Sequence, residues 1–180
     1  VANRVILITG ASSGVGAALA EQLAGMGARV VVNYSRSAEA AEAVVSRITS
    51  TGGQALAVQA DVSEEADCKR LVAATIEQFG RLDALVNNAG TTTFVPHDQL
   101  EALTEEIWLR TLRVNLIGAF MMSREAAPHI GAAGGGEIIM TSSIASMTAN
   151  GSSIAYCASK AGMNSLTRTL AKTLGKQRSA

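Results

Sequence analysis

Short apolar runs and longer amphipathic stretches take turns along this chain. The segment 4–9, Arg-Val-Ile-Leu-Ile-Thr, is rich in β-branched residues and closed by Gly10, the pattern of a strand buried on both faces. Residues 15–26 then carry Val15, Leu19, Leu23 and Met26 at helical spacing, and Gly27 marks the stop. The unit repeats: 29–33 predicts a strand, 37–50 a helix, 55–59 a strand, 63–79 a helix and 82–86 a fourth strand. Past Gly90 the pattern loosens through Thr91, Thr92, Thr93 and Pro96. It tightens into a helix over 104–127, with Thr104 as N-cap and Glu105 and Glu106 in an acidic first turn. A glycine-rich turn at 131–136 leads to a fifth strand at 137–141, and 156–174 predicts a last helix with Leu166, Leu170 and Leu174 on one side. Strands alternating with helices predict an α/β fold built on a doubly wound parallel sheet in three α/β/α layers. No repeat or linker interrupts the series, so residues 1–180 read as a single domain.

Composition narrows the function classes. Fifteen basic residues balance fifteen acidic ones, with a pI near 6.9, which leaves no global field to attract nucleic acid or an acidic membrane surface. The longest apolar runs, such as 30–32 and 119–122, fall far short of the roughly 20 residues that span a bilayer. The opening Val1-Ala2-Asn3-Arg4 lacks the apolar segment of a signal peptide, so the expectation is a soluble cytoplasmic protein. Cys68 and Cys157 form no Cys-x-x-Cys pair and have no flanking histidine to complete a metal site, which predicts reduced structural thiols. His97 and His129 stand singly and are assigned no role.

Chemistry concentrates in two places. At the junction of the first strand and the first helix stands Thr9-Gly10-Ala11-Ser12-Ser13-Gly14-Val15-Gly16. Glycines there let the chain turn sharply and bring backbone N–H groups close to a ligand, and a helix N-terminus favours a pyrophosphate. Gly10, Ser12, Ser13, Gly14, Val15 and Gly16 are therefore the candidate phosphate cradle of a Rossmann-type dinucleotide site; a plain glycine turn is the bland alternative. Near the other end, Tyr156 and Lys160 lie four residues apart, a spacing that shares one helix face. A tyrosine hydroxyl with a reference pKa of roughly 10 is a poor base, and a neighbouring ammonium favours its phenolate. The same spacing also suits an ordinary solvated helix face.

Together, Thr9-Gly-x-x-x-Gly14-x-Gly16, Asp61-Val62, Asn87-Asn88-Ala89-Gly90, Asn115, Ser143 and Tyr156-x-x-x-Lys160 resemble the short-chain dehydrogenase/reductase family over residues 4–175, in order and spacing. In look the chain is similar to 3-oxoacyl-acyl-carrier-protein reductases and related small-ketone reductases. The resemblance implies hydride transfer between a nicotinamide and a substrate carbon, with Tyr156 as general acid/base, Lys160 supporting it and holding the nicotinamide ribose, and Ser143 orienting the carbonyl. It implies that Asn115 holds a water in a proton relay, that Asp61 and Val62 recognise adenine, and that Asn88 and Gly90 lie under the ribose. Other readings stay open on residue type alone. Asp61 or Ser63 can cap the next helix, Asn115 can be a surface residue, the 87–90 segment can be a generic loop, and Ser142 competes with Ser143 until the family spacing selects the latter.

Cofactor choice in this fold is made just after strand two, where an acid takes the ribose 2′-hydroxyl of NAD and an arginine accommodates the 2′-phosphate of NADP. The segment here is Val32-Asn33-Tyr34-Ser35-Arg36-Ser37, with no acid before Glu39. Arg36 offers a planar charged fork suited to phosphate, which predicts NADP(H) over NAD(H). An arginine exposed without a ligand is the alternative. By resemblance, two further strands and a mobile substrate lid are missing beyond Ala180, so the chain is expected to be truncated and the fifth strand to be an apolar edge. The rival expectation is an inactive NADP-binding or structural module. A carbonyl or secondary alcohol is the implied substrate. A homo-oligomer, dimer or tetramer, is the implied assembly, with Met121, Met122, Leu166 and Leu170 as candidates for its surface or for the core.

Overall fold

The computed structural model describes residues 1–175; the last part of the predicted domain, 176–180, lies outside the described residues. Five strands, β1 (Val5–Ile8), β2 (Arg29–Tyr34), β3 (Gln54–Gln59), β4 (Ala84–Asn87) and β5 (Glu137–Met140), form one sheet in the order β3-β2-β1-β4-β5. Every pairing is parallel, with Leu7 opposite both Val31 and Leu85. The helices are α1 (Gly14–Gly25), α2 (Ala38–Ser50), α3 (Glu65–Phe79), α4 (Glu105–Leu112), α5 (Ala119–Ala132), the single turn α6 (Ala145–Thr148) and α7 (Ile154–Gly175). A short 3-10 turn at Leu100–Ala102 precedes α4.

The sheet separates two cores by the simple alternation of a pleated strand. Ile6, Ile8, Val30, Val32, Ala84 and Val86 face α1 and α2, where they meet Ala17, Ala20, Ala24, Ala41, Val44 and Ile48. Val5, Leu7, Val31 and Leu85 face the other way, onto Cys68, Leu71 and Val72 of α3 and Met121, Met122, Ala126 and Ile130 of α5. Met121 and Met122 are therefore core residues, and of the four assembly candidates only Leu166 and Leu170 stay partly exposed. Among the described residues no helix is long and apolar enough to cross a membrane.

The first helix buries a face shifted from the one predicted, with Leu19 and Leu23 half-buried at its edge. Its inward residues are Gly16, Ala17, Ala20 and Ala24, while Val15 is 71% exposed and Met26 lies at the surface. Small residues win because they let α1 lie close over the sheet beside the glycine turn. The helix predicted over 104–127 is likewise two helices, α4 and α5, joined through a π-helical turn at Arg113–Gly118. Thr104 does cap it, with its hydroxyl accepting from the Ile107 amide. Gly118 explains the close packing there: a Cβ on it would stand 2.6 Å from the Val62 carbonyl oxygen.

Candidate active site

Strand order reverses at β1, whose neighbours are β2 and β4, and ligands of open parallel sheets bind outside the carboxyl ends of the strands at such a point. A cleft of about 460 Å³ opens there. Gly10, Ser12, Ser13, Arg36, Asp61, Val62, Asn88 and Gly90 all line it, so residues drawn from four strand ends converge on one groove. Gly14, Val15 and Gly16 follow in the first turn of α1, whose leading N–H groups have no intrahelical acceptor.

The glycine turn is shaped by close contacts at Gly10 and Gly16 and by left-handed backbone at Gly10 and Gly14. Gly10 and Gly14 have φ of +62° and +56°. A Cβ on Gly16 would lie 2.5 Å from the Gly10 carbonyl oxygen and 2.6 Å from Asn88 Nδ2. The Thr9 hydroxyl accepts from the Asn88 and Ala89 amides at 3.0 Å each, and Asn88 Nδ2 donates to the carbonyls of Thr9 and Gly10 at 3.0 Å each. The 87–90 segment is thus tied to the glycine turn. Asp61 lines the cleft while its Oδ1 accepts from the Ser63 amide and hydroxyl at 2.9 and 2.7 Å. Neither Asp61 nor Ser63 is the N-cap of α3; Glu64 holds that position without a side-chain bond.

At the far end of the groove, a Cβ on Gly90 would lie 3.8 Å from Lys160 Nζ and 3.5 Å from Asn115 Oδ1. Lys160 is 4% exposed. Its Nζ donates to the Thr141 carbonyl at 2.7 Å and stands 5.8 Å from the centre of the Tyr156 ring. No carboxylate pairs with it among the described residues, and burial alone pushes its pKa below the ordinary lysine value. Asn115 is buried in the π-helical turn, which removes the surface reading. Its Oδ1 accepts from the Thr91 amide at 2.7 Å, and its Nδ2 donates to the Thr91 carbonyl at 2.9 Å and to Ser159 Oγ at 3.0 Å. Ser153 starts α7 by accepting from the Tyr156 amide at 3.2 Å. Ser143, half-buried, follows β5, and its Oγ accepts from the Ala145 amide at 3.2 Å.

The sequence profile of the short chain dehydrogenases matches residues 4–178. The chain belongs to the short-chain dehydrogenase/reductase family. Among relatives of this family, a protein of Streptomyces violaceoruber whose name marks it as a candidate ketoacyl reductase of the granaticin polyketide synthase is 47% identical, over 95% of this chain and 67% of its own. A 3-oxoacyl-[acyl-carrier-protein] reductase of Synechocystis is 40% identical, over 97% of this chain and 69% of its own. The crystal structure of a candidate short-chain dehydrogenase/reductase from Burkholderia xenovorans superposes with a TM-score of 0.93 at 37% identity, covering 97% of this chain and 73% of that one. The chain therefore spans roughly two thirds of the length of these relatives. As an oxidoreductase of this family it draws on a nicotinamide dinucleotide, and the groove built by its glycine turn and strand ends suits one.

Two residues of the site were not singled out by sequence reasoning. Asn33, 2% exposed at the end of β2, accepts from the Gly10 amide at 3.1 Å and donates to the Ala60 carbonyl at 3.0 Å. From β2 it ties together the segments that follow β1 and β3, and its signal was an amide directly after the apolar run 30–32. Ser159, fully buried inside the Tyr156 to Lys160 motif, receives the Asn115 amide and donates to the Tyr156 carbonyl at 2.7 Å. His97, given no role, meets the Gly151 carbonyl at 3.1 Å, where the loop after Gly90 crosses the segment before α7.

Proposed function

We propose that this protein is an NADP(H)-dependent oxidoreductase that interconverts a carbonyl and a secondary alcohol, with Tyr156 as general acid/base. The observation that carries this reading is the buried, carboxylate-free Lys160 ammonium beside the Tyr156 ring, next to Gly90 of the groove that begins at the glycine turn. A cation in so little water stabilises negative charge on a neighbouring phenolic oxygen. Tyr156 beside that cation can take up the alcohol proton in one direction and deliver a proton in the other. A nicotinamide held at this site would supply the hydride for carbonyl reduction and accept it in the reverse direction.

The chain's own residues do the rest. Tyr156 passes its hydroxyl proton to the carbonyl oxygen, and the Ser143 hydroxyl donates a hydrogen bond to the same oxygen as charge develops there. Lys160 stabilises the phenolate left behind and holds the nicotinamide ribose. Asn115, by fixing the Thr91 backbone, holds the place of the water through which the proton is replaced. Gly10, Ser12, Ser13, Gly14, Val15 and Gly16 hold the pyrophosphate, Asp61 and Val62 the adenine, and Asn88 and Gly90 the ribose. Arg36, which lines the groove and has no carboxylate partner among the described residues, takes the 2′-phosphate, so NADP(H) is preferred and NAD(H) is the weaker ligand.

The substrate is a small ketone or a 3-oxoacyl thioester, a reading supported by relatives named for ketoacyl and 3-oxoacyl reduction. The assembly is a homo-oligomer, supported by Leu109, Ile117 and Phe120, which stay 57%, 42% and 40% exposed along α4, the π-helical turn and α5. We place the protein in the cytoplasm, in keeping with its two free, buried cysteines, of which Cys68 is pushed up to about 11 chiefly by burial. Mixing the protein with NADPH and a diketone or a 3-oxoacyl thioester tests the function. Loss of NADPH absorbance supports it, whereas a change in cofactor fluorescence without consumption identifies a binding module instead.

A further inference from the structure

The segment between β5 and α6 carries Ser143, and a side chain outside the proposed catalytic set holds it. Lys160 Nζ fixes its start by donating to the Thr141 carbonyl at 2.7 Å. Beyond that, the contacts run through Asn164. The Ser142 hydroxyl donates to Asn164 Oδ1 at 2.7 Å, and Asn164 Nδ2 donates to Ser146 Oγ at 2.8 Å. The Ser146 hydroxyl then donates to the Ser143 carbonyl oxygen at 2.6 Å. The bonds follow one direction, and both ends of the amide are used.

Position reinforces the pattern. Asn164 lies four residues beyond Lys160 and eight beyond Tyr156, so one face of α7 carries the proton donor, the cation and this amide. With Ser142 committed to Asn164, the neighbouring Ser143 hydroxyl accepts only from the Ala145 amide, at 3.2 Å, and no described residue accepts its proton. That proton is available to a substrate oxygen. For two hydroxyls to converge on one oxygen they must move as one body, because small misplacements of reacting groups cost rate steeply.

We infer that Asn164 is a positioning residue: its amide clamps the 142–146 segment to the catalytic helix and thereby sets the place of the Ser143 hydroxyl relative to Tyr156. This rests on the proposed role of Ser143. Asn164→Asp keeps the size of the side chain and removes its N–H donor. Facing an acceptor-only carboxylate, the Ser146 hydroxyl turns to it and releases the Ser143 carbonyl.

Two measurements on the full chain test the clamp, and the first needs no turnover. Amide hydrogen exchange reports on Ala145 and Ser146, whose N–H groups bond Ser143 Oγ and the Ser143 carbonyl. In Asn164→Asp these two amides are expected to exchange about tenfold faster while those of β5 keep their rates. Unchanged exchange at both overturns the inference. The second is a double-mutant cycle. Asn164→Asp is expected to lower kcat about tenfold with cofactor KM unchanged, and to have no further effect in Ser143→Ala. An equal loss in both backgrounds, or none in either, shows that Asn164 does not act through Ser143. If the unmutated protein consumes no cofactor, the proposed function has failed and amide exchange alone decides the clamp. Ser146→Ala, which removes the hydroxyl linking Asn164 to the Ser143 carbonyl, carries the same expectations if Asn164→Asp does not fold.

Discussion

Lys160 keeps a positive charge almost out of water, with a backbone carbonyl and a tyrosine ring for company. Such a charge is costly to bury. With a folded pKa below the ordinary 10.5, the unfolded chain holds a proton that the folded one has released between those two values. Stability should therefore rise with pH across that window, and the rise should vanish in Lys160→Met; urea midpoints followed up to pH 10.5 check this, and matching profiles would count against it. Arg36 makes the second expectation at this scale. Its removal in Arg36→Ala should weaken NADPH binding roughly 10- to 100-fold, the worth of a charge-assisted contact, and leave NADH almost untouched, as read by fluorescence titration. NADH binding at least as well as NADPH in the unmutated protein would refute the cofactor preference. Tyr156, Lys160 and the glycines were legible in the sequence because their chemistry requires given residue types at given spacings. Asn33 and Asn164 were not, since their partners are remote in sequence, Asn33 reaching Gly10 and Ala60 and Asn164 reaching Ser142 and Ser146.

Elements whose order follows from strand and helix periodicity were legible from β1 to α7, the single turn α6 excepted. Their faces and interruptions were less so. Of the apolar stripe read on α1, Leu19 and Leu23 pack on the core while Val15 and Met26 point outward, because the closest contact with the sheet selected alanine and glycine, a contact that periodicity does not encode. The π-helical turn ends at Gly118, which lies against the Val62 carbonyl, a residue remote from it in sequence. A signal for it did exist: Thr111, Asn115, Gly118 and Met122 share the buried stripe of that long helix, and an amide belongs there only if it has partners. The glycine turn supplies the expectation for this scale. Gly16→Ala should cost about 1 to 3 kcal/mol of stability and weaken the dinucleotide, because its Cβ would meet backbone at 2.5 Å. Gly14→Ala has open space around the new methyl group and meets only the cost of its positive φ. Thermal unfolding with a cofactor titration compares the two, and equal behaviour would contradict the close-packed turn.

On the scale of the whole molecule, the sheet sorts its alternate residues into two cores, and the site lies where its winding reverses, outside both. The apolar surface that this leaves along α4 and α5 carries the expectation for assembly. Replacing Ile117 and Phe120 together by aspartate should convert a dimer or tetramer to monomers in sedimentation velocity, whereas a monomeric unmutated protein would remove the proposed assembly. The central claim is narrower: Tyr156 moves the proton at the end of a dinucleotide groove. It is tested most directly by comparing the unmutated protein with Tyr156→Phe, following NADPH binding by fluorescence and NADPH consumption by absorbance with the same carbonyl substrate. The expected result is unchanged binding with consumption lost in Tyr156→Phe; consumption that persists at the unmutated rate would show that another group moves the proton.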